Sequence, residues 1–70
     1  MATKIRKLLA NRLRELRAKK GWSQDDLAAE CGLHRAWIGA VERSERNIGI
    51  DNLDKLAKAF DLEVWQLLKE

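Results

Sequence analysis

The sequence contains no proline, so no ring removes a backbone N–H or kinks a helix. It contains one cysteine, Cys31, which excludes an internal disulfide framework and points to a cytoplasmic protein. A single histidine beside that cysteine cannot assemble a metal site, so Cys31 reads as a small packed residue rather than a redox sensor. No apolar run approaches the ~18 residues of a spanning helix. The basic first residues lack the apolar stretch and cleavage site of a secretory signal. Strand-like alternation, internal repeats and low-complexity segments are missing as well. There is no Ser/His/Asp set, no glycine-rich phosphate loop and no pair of catalytic carboxylates. Neither an enzyme nor a cofactor is expected.

What is present has to fold as one domain, residues 1–70. A chain of this size buries only about 60% of its unfolded surface, which leaves little space for a ligand cleft. No small-molecule effector is expected. The net charge of +3 conceals an asymmetry. Residues 1–20 hold Lys4, Arg6, Lys7, Arg12, Arg14, Arg17, Lys19 and Lys20 against Glu15 alone, whereas residues 21–70 are net negative. A basic end on a small domain suggests nucleic acid or an anionic membrane surface. The charge count does not choose between them.

Apolar spacing predicts helices throughout. Ile5, Leu8, Leu9, Leu13 and Leu16 form one stripe, with Thr3 as N-cap and Lys19-Lys20-Gly21 as a stop. These leucines are needed for the core, which argues against a membrane-surface amphipath and leaves the charged face solvated. Ser23-Gln24-Asp25-Asp26 is a variant capping box opening a short second helix, about 24–31, that ends at Gly32. A third helix is expected over about 34–44. The loop 45–49 leads to a fourth over about 50–60, broken at Asp61-Leu62, and a last short helix follows over 64–68. The fold class is therefore all-α, a compact five-helix domain.

The second and third helices, joined through Gly32, have the outline of a helix-turn-helix. On a helical wheel the third places Ile38, Val41 and Glu42 on one side and Ala36, Gly39, Ala40 and Arg43 opposite. Small residues flanked by Arg35 and Arg43 let a backbone approach a DNA groove closely, with arginines reaching bases or phosphates. The alternative is that another helix packs on this face; groove reading is favoured. Glu42 projects near the core, and a buried acid needs a partner.

The run GWSQDDLAAECGLHRAWIGAVERSERNIGIDNLDKLAKAFDL resembles the Cro/C1-type (lambda-repressor-like) helix-turn-helix domain of phage repressors and xenobiotic-response-element-type regulators. The segment LHRAWIGAVERSERNI is most similar to the controller proteins of restriction–modification systems. The resemblance covers about residues 12–68. It implies a regulator that binds double-stranded DNA through the major groove as a homodimer on a near-palindromic operator. For a controller it also implies activation from one site and repression from a second, with contact to RNA polymerase. Genomic neighbours would separate this from a phage-type repressor or an antitoxin-type module holding a protein partner; an antitoxin would be expected to carry a further segment beyond the last helix.

Carried over by position, the resemblance gives Arg35, Ala36, His34 and Ala40 to base reading. It gives Ser23, Gln24, Trp37, Arg43, Arg46 and Asn47 to the DNA backbone or mixed contact, and pairs Arg17 with Glu42 as a structural ion pair. Ala36 stands where relatives often offer a hydroxyl or amide, so contact there reduces to a thymine methyl. Apart from the resemblance, Val64, Leu67 and Leu68 already supply the inward stripe of the last helix. Trp65 should therefore project outward, as a dimer contact with Phe60 and Leu62 beside it or as chance exposure; the dimer contact is favoured.

Overall fold

The computed structural model describes residues 3–69, and these form five helices and no strand. They are α1 (Lys4–Lys20), α2 (Gln24–Cys31), α3 (Arg35–Glu42), α4 (Ile50–Ala59) and α5 (Val64–Leu67). The first three starts each have a local cause. The Thr3 hydroxyl accepts from the Arg6 N–H at 3.2 Å, filling one of the donors that a helix start leaves open. Ser23 and Asp26 form the reciprocal capping box expected of them, at 3.0 and 2.9 Å. The His34 Nδ1 accepts from the Ala36 N–H at 3.1 Å and so caps α3.

The ends of α1 to α4 share one device. Gly21, Gly32, Ser44 and Asp61 all adopt left-handed φ, between 56° and 71°. Gly21 and Gly32 do so without steric cost, and Asp61 fills a glycine-like place as its local hydrogen bonding allows. Ser44 corrects the expected third helix. The Ser44 N–H bonds to the Val41 carbonyl at 2.9 Å and the Glu45 N–H to that of Ala40 at 3.0 Å. This is a Schellman closure, so α3 stops at Glu42 rather than at residue 44.

The core lies where all five helices converge. α1 contributes Leu9, Leu13 and Leu16; α2 contributes Leu27, Ala28 and Cys31; α3 contributes Ile38 and Val41. Leu56 and Ala57 of α4, Leu67 of α5 and Phe60 complete it. Leu13, Leu27, Ile38, Leu56 and Leu67 are fully buried, each favourable by about 1.5–3 kcal/mol relative to exposure. Phe60 is a correction: expected on a dimer surface, it is 5% exposed and stacks on Trp22 with ring centroids 5.3 Å apart. It continues the apolar stripe of Leu53, Leu56 and Ala57, which turns the ring inward. Burial also holds the Cys31 thiol above its ordinary pKa.

Candidate nucleic-acid interface

A buried polar cluster sets the position of α3. Glu42 is 4% exposed, and its carboxylate accepts from Arg17 Nε at 2.6 Å and Arg17 Nη2 at 2.8 Å. Gln24 Nε2 donates to the same carboxylate at 3.1 Å. The remaining fork of Arg17, Nη1, donates to the Trp22 carbonyl at 2.9 Å. Arg14 donates to the backbone carbonyl of Glu42, at the C-terminus of α3. One residue of α3 is thus tied to α1 and to α2, and through Arg17 to the turn after α1. The bidentate geometry fixes orientation as well as distance. The hydrogen bond to Glu42, above all, raises the pKa of Arg17, against a smaller opposing effect of burial. Glu42 and Arg17 are the residues that the resemblance paired; the Arg14 contact and the hydrogen bond from Gln24 were not anticipated. The Arg14 contact follows from spacing, because residues 14 and 17 lie one turn apart on the α1 flank facing α3, whereas Gln24 reaches the carboxylate from the first residue of α2.

With α3 held in this way, its outer side presents His34, Arg35, Ala36 and Arg43 exposed and Ala40 half-buried. Gly39 departs from the helical-wheel expectation and is buried. A Cβ there would lie 3.1 Å from Arg43 Nη1 and 3.6 Å from Gln24 Oε1. Gly39 is therefore covered by the side chains of Arg43 and Gln24 rather than open to a partner. Ser23 is exposed and occupied by its capping duty, while Gln24 is half-buried against Glu42. Trp37 is half-buried and packs against the core. Arg46 and Asn47 are exposed in the loop after α3.

The two arginines at the ends of α3 carry acidic partners that the sequence reading missed. Arg35 Nε lies 3.2 Å from Asp25 Oδ1, and Arg43 Nε lies 3.1 Å from Glu45 Oε1. Both pairs are more than half-exposed, so each contributes little to stability. Among the described residues no group of His, Cys, Asp and Glu could hold a metal ion, and no helix is long and apolar enough to cross a membrane. Leu62 is half-buried on the core, Trp65 is 62% exposed, and Ile50, not singled out from sequence, is 78% exposed. Because α5 packs on α1 and α4, Trp65 belongs to a different part of the surface from the α2–α3 cluster.

The helix-turn-helix family model HTH_3 matches residues 13–64. A hypothetical transcription factor of Neisseria meningitidis serogroup B is 45% identical over 64 residues; the match covers 91% of the chain and 60% of that relative's length. The crystal structure of the restriction–modification controller protein C.AhdI from Aeromonas hydrophila superposes with a TM-score of 0.84 at 47% identity, covering 89% of this chain and 94% of the other. A tetramer of the controller protein C.Esp1396I, solved in complex with its natural 35-base-pair operator, superposes with a TM-score of 0.84 at 26% identity. That superposition covers 94% of this chain and 91% of the other.

Proposed function

The chain belongs to the Cro/C1-type helix-turn-helix family, and from that premise we propose that it is a sequence-specific DNA-binding regulator of transcription acting as a homodimer. The observation that carries this reading is the exposed row of Arg35, Ala36 and Arg43 on a helix whose orientation is fixed by buried Glu42. Small side chains on the helix permit close approach to the major groove, and arginine forks match the O6 and N7 acceptors of guanine.

In this reading Arg35, with His34, Ala36 and Ala40, faces base edges. His34 accepts through Nδ1, which leaves the Nε2 N–H as a donor toward DNA. Gln24 spends one amide hydrogen on Glu42 and keeps the second for a phosphate at the N-terminus of α2. Ser23, Trp37, Arg43, Arg46 and Asn47 flank the same backbone. The net-positive first helix supplies sequence-independent attraction. The dimer contact falls to Trp65 and Leu62, joined by exposed Ile50; Phe60 supports them from the core. The reading assigns no catalysis and no effector, and it puts the site of action on DNA in the cytoplasm.

Likeness to C.AhdI and C.Esp1396I favours a restriction–modification controller within the class. One dimer then activates by contacting RNA polymerase, and a second on an adjacent weaker site represses, with concentration as the input. Selection of bound sequences from a random duplex pool tests the reading. It should return a two-fold symmetric motif with half-site centres about one helical turn, roughly 34–36 Å, apart. A pool that shows no enriched motif would overturn it. Trp65→Ala should shift sedimentation toward the monomer, and an unchanged dimer removes Trp65 from the interface.

A further inference from the structure

We propose that Asp25 is a specificity-determining residue, one that aims Arg35 at a base and holds it off the phosphates. The inference rests on the base-reading role given to Arg35 above.

Asp25 stands in the first turn of α2, while Asp26, beside it, is committed to the capping box. Among the described residues the carboxylate of Asp25 has one partner, Arg35 Nε at 3.2 Å. The contact joins the helix that lies along the DNA backbone in this reading to the first residue of the helix that enters the groove. The acid sits at the Nε side of the guanidinium as an ion pair, and among the described residues the other edge, Nη1 and Nη2, has no hydrogen-bond partner. That edge carries two parallel N–H groups, the fork that pairs bidentately with guanine O6 and N7. An arginine without the acid would rotate freely about its four side-chain torsions and could settle on a phosphate of any sequence.

The carboxylate acts in a second way. It places a negative charge beside the N-terminus of α2, where a phosphate approaches, and so weakens binding to every duplex. Specificity is a difference of affinities, and a repulsive element that an aligned arginine neutralises raises that difference. Exposure of both side chains in the free protein means that little folding stability depends on the pair. Its effect should therefore be seen in binding and not in the melt.

The test compares wild type, Asp25→Ala, Asp25→Asn, Arg35→Ala and the Asp25→Ala/Arg35→Ala double variant by fluorescence anisotropy. The probes are the duplex recovered from the selection above and a scrambled duplex of the same composition. Asp25→Ala should bind the scrambled duplex more tightly and lose roughly threefold to tenfold of the selected-to-scrambled affinity ratio, with an unchanged circular dichroism melt. Asp25→Asn keeps an oxygen acceptor for Arg35 Nε and should retain most of the ratio while binding both duplexes more tightly. In the Arg35→Ala background, Asp25→Ala should leave the ratio where Arg35→Ala alone puts it. If Asp25→Ala strengthens both duplexes by the same factor, Asp25 is only a surface charge and the proposal is overturned. If Arg35→Ala leaves the ratio at its wild-type value, the base-reading role of Arg35 fails, and the proposal with it.

Discussion

Removing the guanidinium of Arg17 should be among the most damaging single changes available in this domain. Arg17→Ala strips the Glu42 carboxylate of two hydrogen bonds, at 2.6 and 2.8 Å, and leaves it with Gln24 alone. The carboxylate is 4% exposed and cannot turn to solvent without moving α3. Stranding one member of a buried pair costs about 3–5 kcal/mol. A domain of this size has a total stability of roughly 4–10 kcal/mol, so the variant should lie near its unfolding midpoint in mild urea. Glu42→Ala should cost less, because Arg17 is 19% exposed and keeps its bond to the Trp22 carbonyl. Replacing both by apolar residues, Arg17→Met with Glu42→Leu, should recover most of the loss, since neither charge is then left buried. Urea titration with linear extrapolation reads all four chains. The pKa of Arg17 is raised in the fold, so the stability it contributes is fully present below the ordinary arginine value and is lost only as pH rises beyond it. The gap between wild type and Arg17→Ala should accordingly stay constant from about pH 6 to pH 10. A cost below about 1 kcal/mol for Arg17→Ala, the range of a surface pair, would mean that the Glu42 carboxylate is not stranded by the change, and a larger loss for Glu42→Ala would point the same way.

Other perturbations follow from particular contacts. Gly39→Ala introduces a Cβ 3.1 Å from the mobile end of Arg43, which can give way, and a helix gains up to about 1 kcal/mol when alanine replaces an interior glycine. Thermal or urea unfolding should show stabilisation, and a loss of more than about 1 kcal/mol would mean that Arg43 cannot move aside. Cys31 is buried and its thiol is held above its ordinary pKa. Alkylation of the native protein at pH 8 should therefore be far slower than in denaturant. Because that pKa is raised, the stability attached to the protonated thiol is present below the ordinary thiol value and is lost as pH climbs through the folded one. Native and denatured alkylation rates within a few-fold of each other would contradict this placement.

The parts of the molecule legible from sequence were those with strong local causes. The leucine stripe of α1, the Ser23–Asp26 box and the glycines at 21 and 32 each announce a helix or its end within a few residues. Ser44 was not legible as a stop, since a left-handed serine depends on the Schellman bonds to Val41 and Ala40 rather than on its own preference. Phe60 was misplaced for a different reason. Its spacing from Leu53, Leu56 and Ala57 puts it on the apolar stripe of α4, and that signal was set aside for its nearness in sequence to Trp65; in the fold the ring stacks on Trp22. Glu42 stood out because an acid on an apolar face demands a partner. The partner residues Asp25 and Glu45 did not stand out, because exposed acids are common and their pairing with Arg35 and Arg43 is set by the crossing of α2 and α3 and by the turn after α3. Gly39 looked like part of an open small-residue face until Gln24 and Arg43 were seen to cover it.

Arg35 is the residue through which α3 reads bases in the proposed function. That role is probed by replacing each guanine of the selected duplex in turn with 7-deazaguanine, which removes the N7 acceptor from the major groove and leaves Watson–Crick pairing intact. Affinities are then measured for wild type and Arg35→Ala. One guanine in each half-site should weaken wild-type binding by about 1–3 kcal/mol when it loses N7, and the same replacement should leave Arg35→Ala unaffected. Equal sensitivity in the two proteins, or no sensitive guanine in wild type, would mean that Arg35 does not read a base.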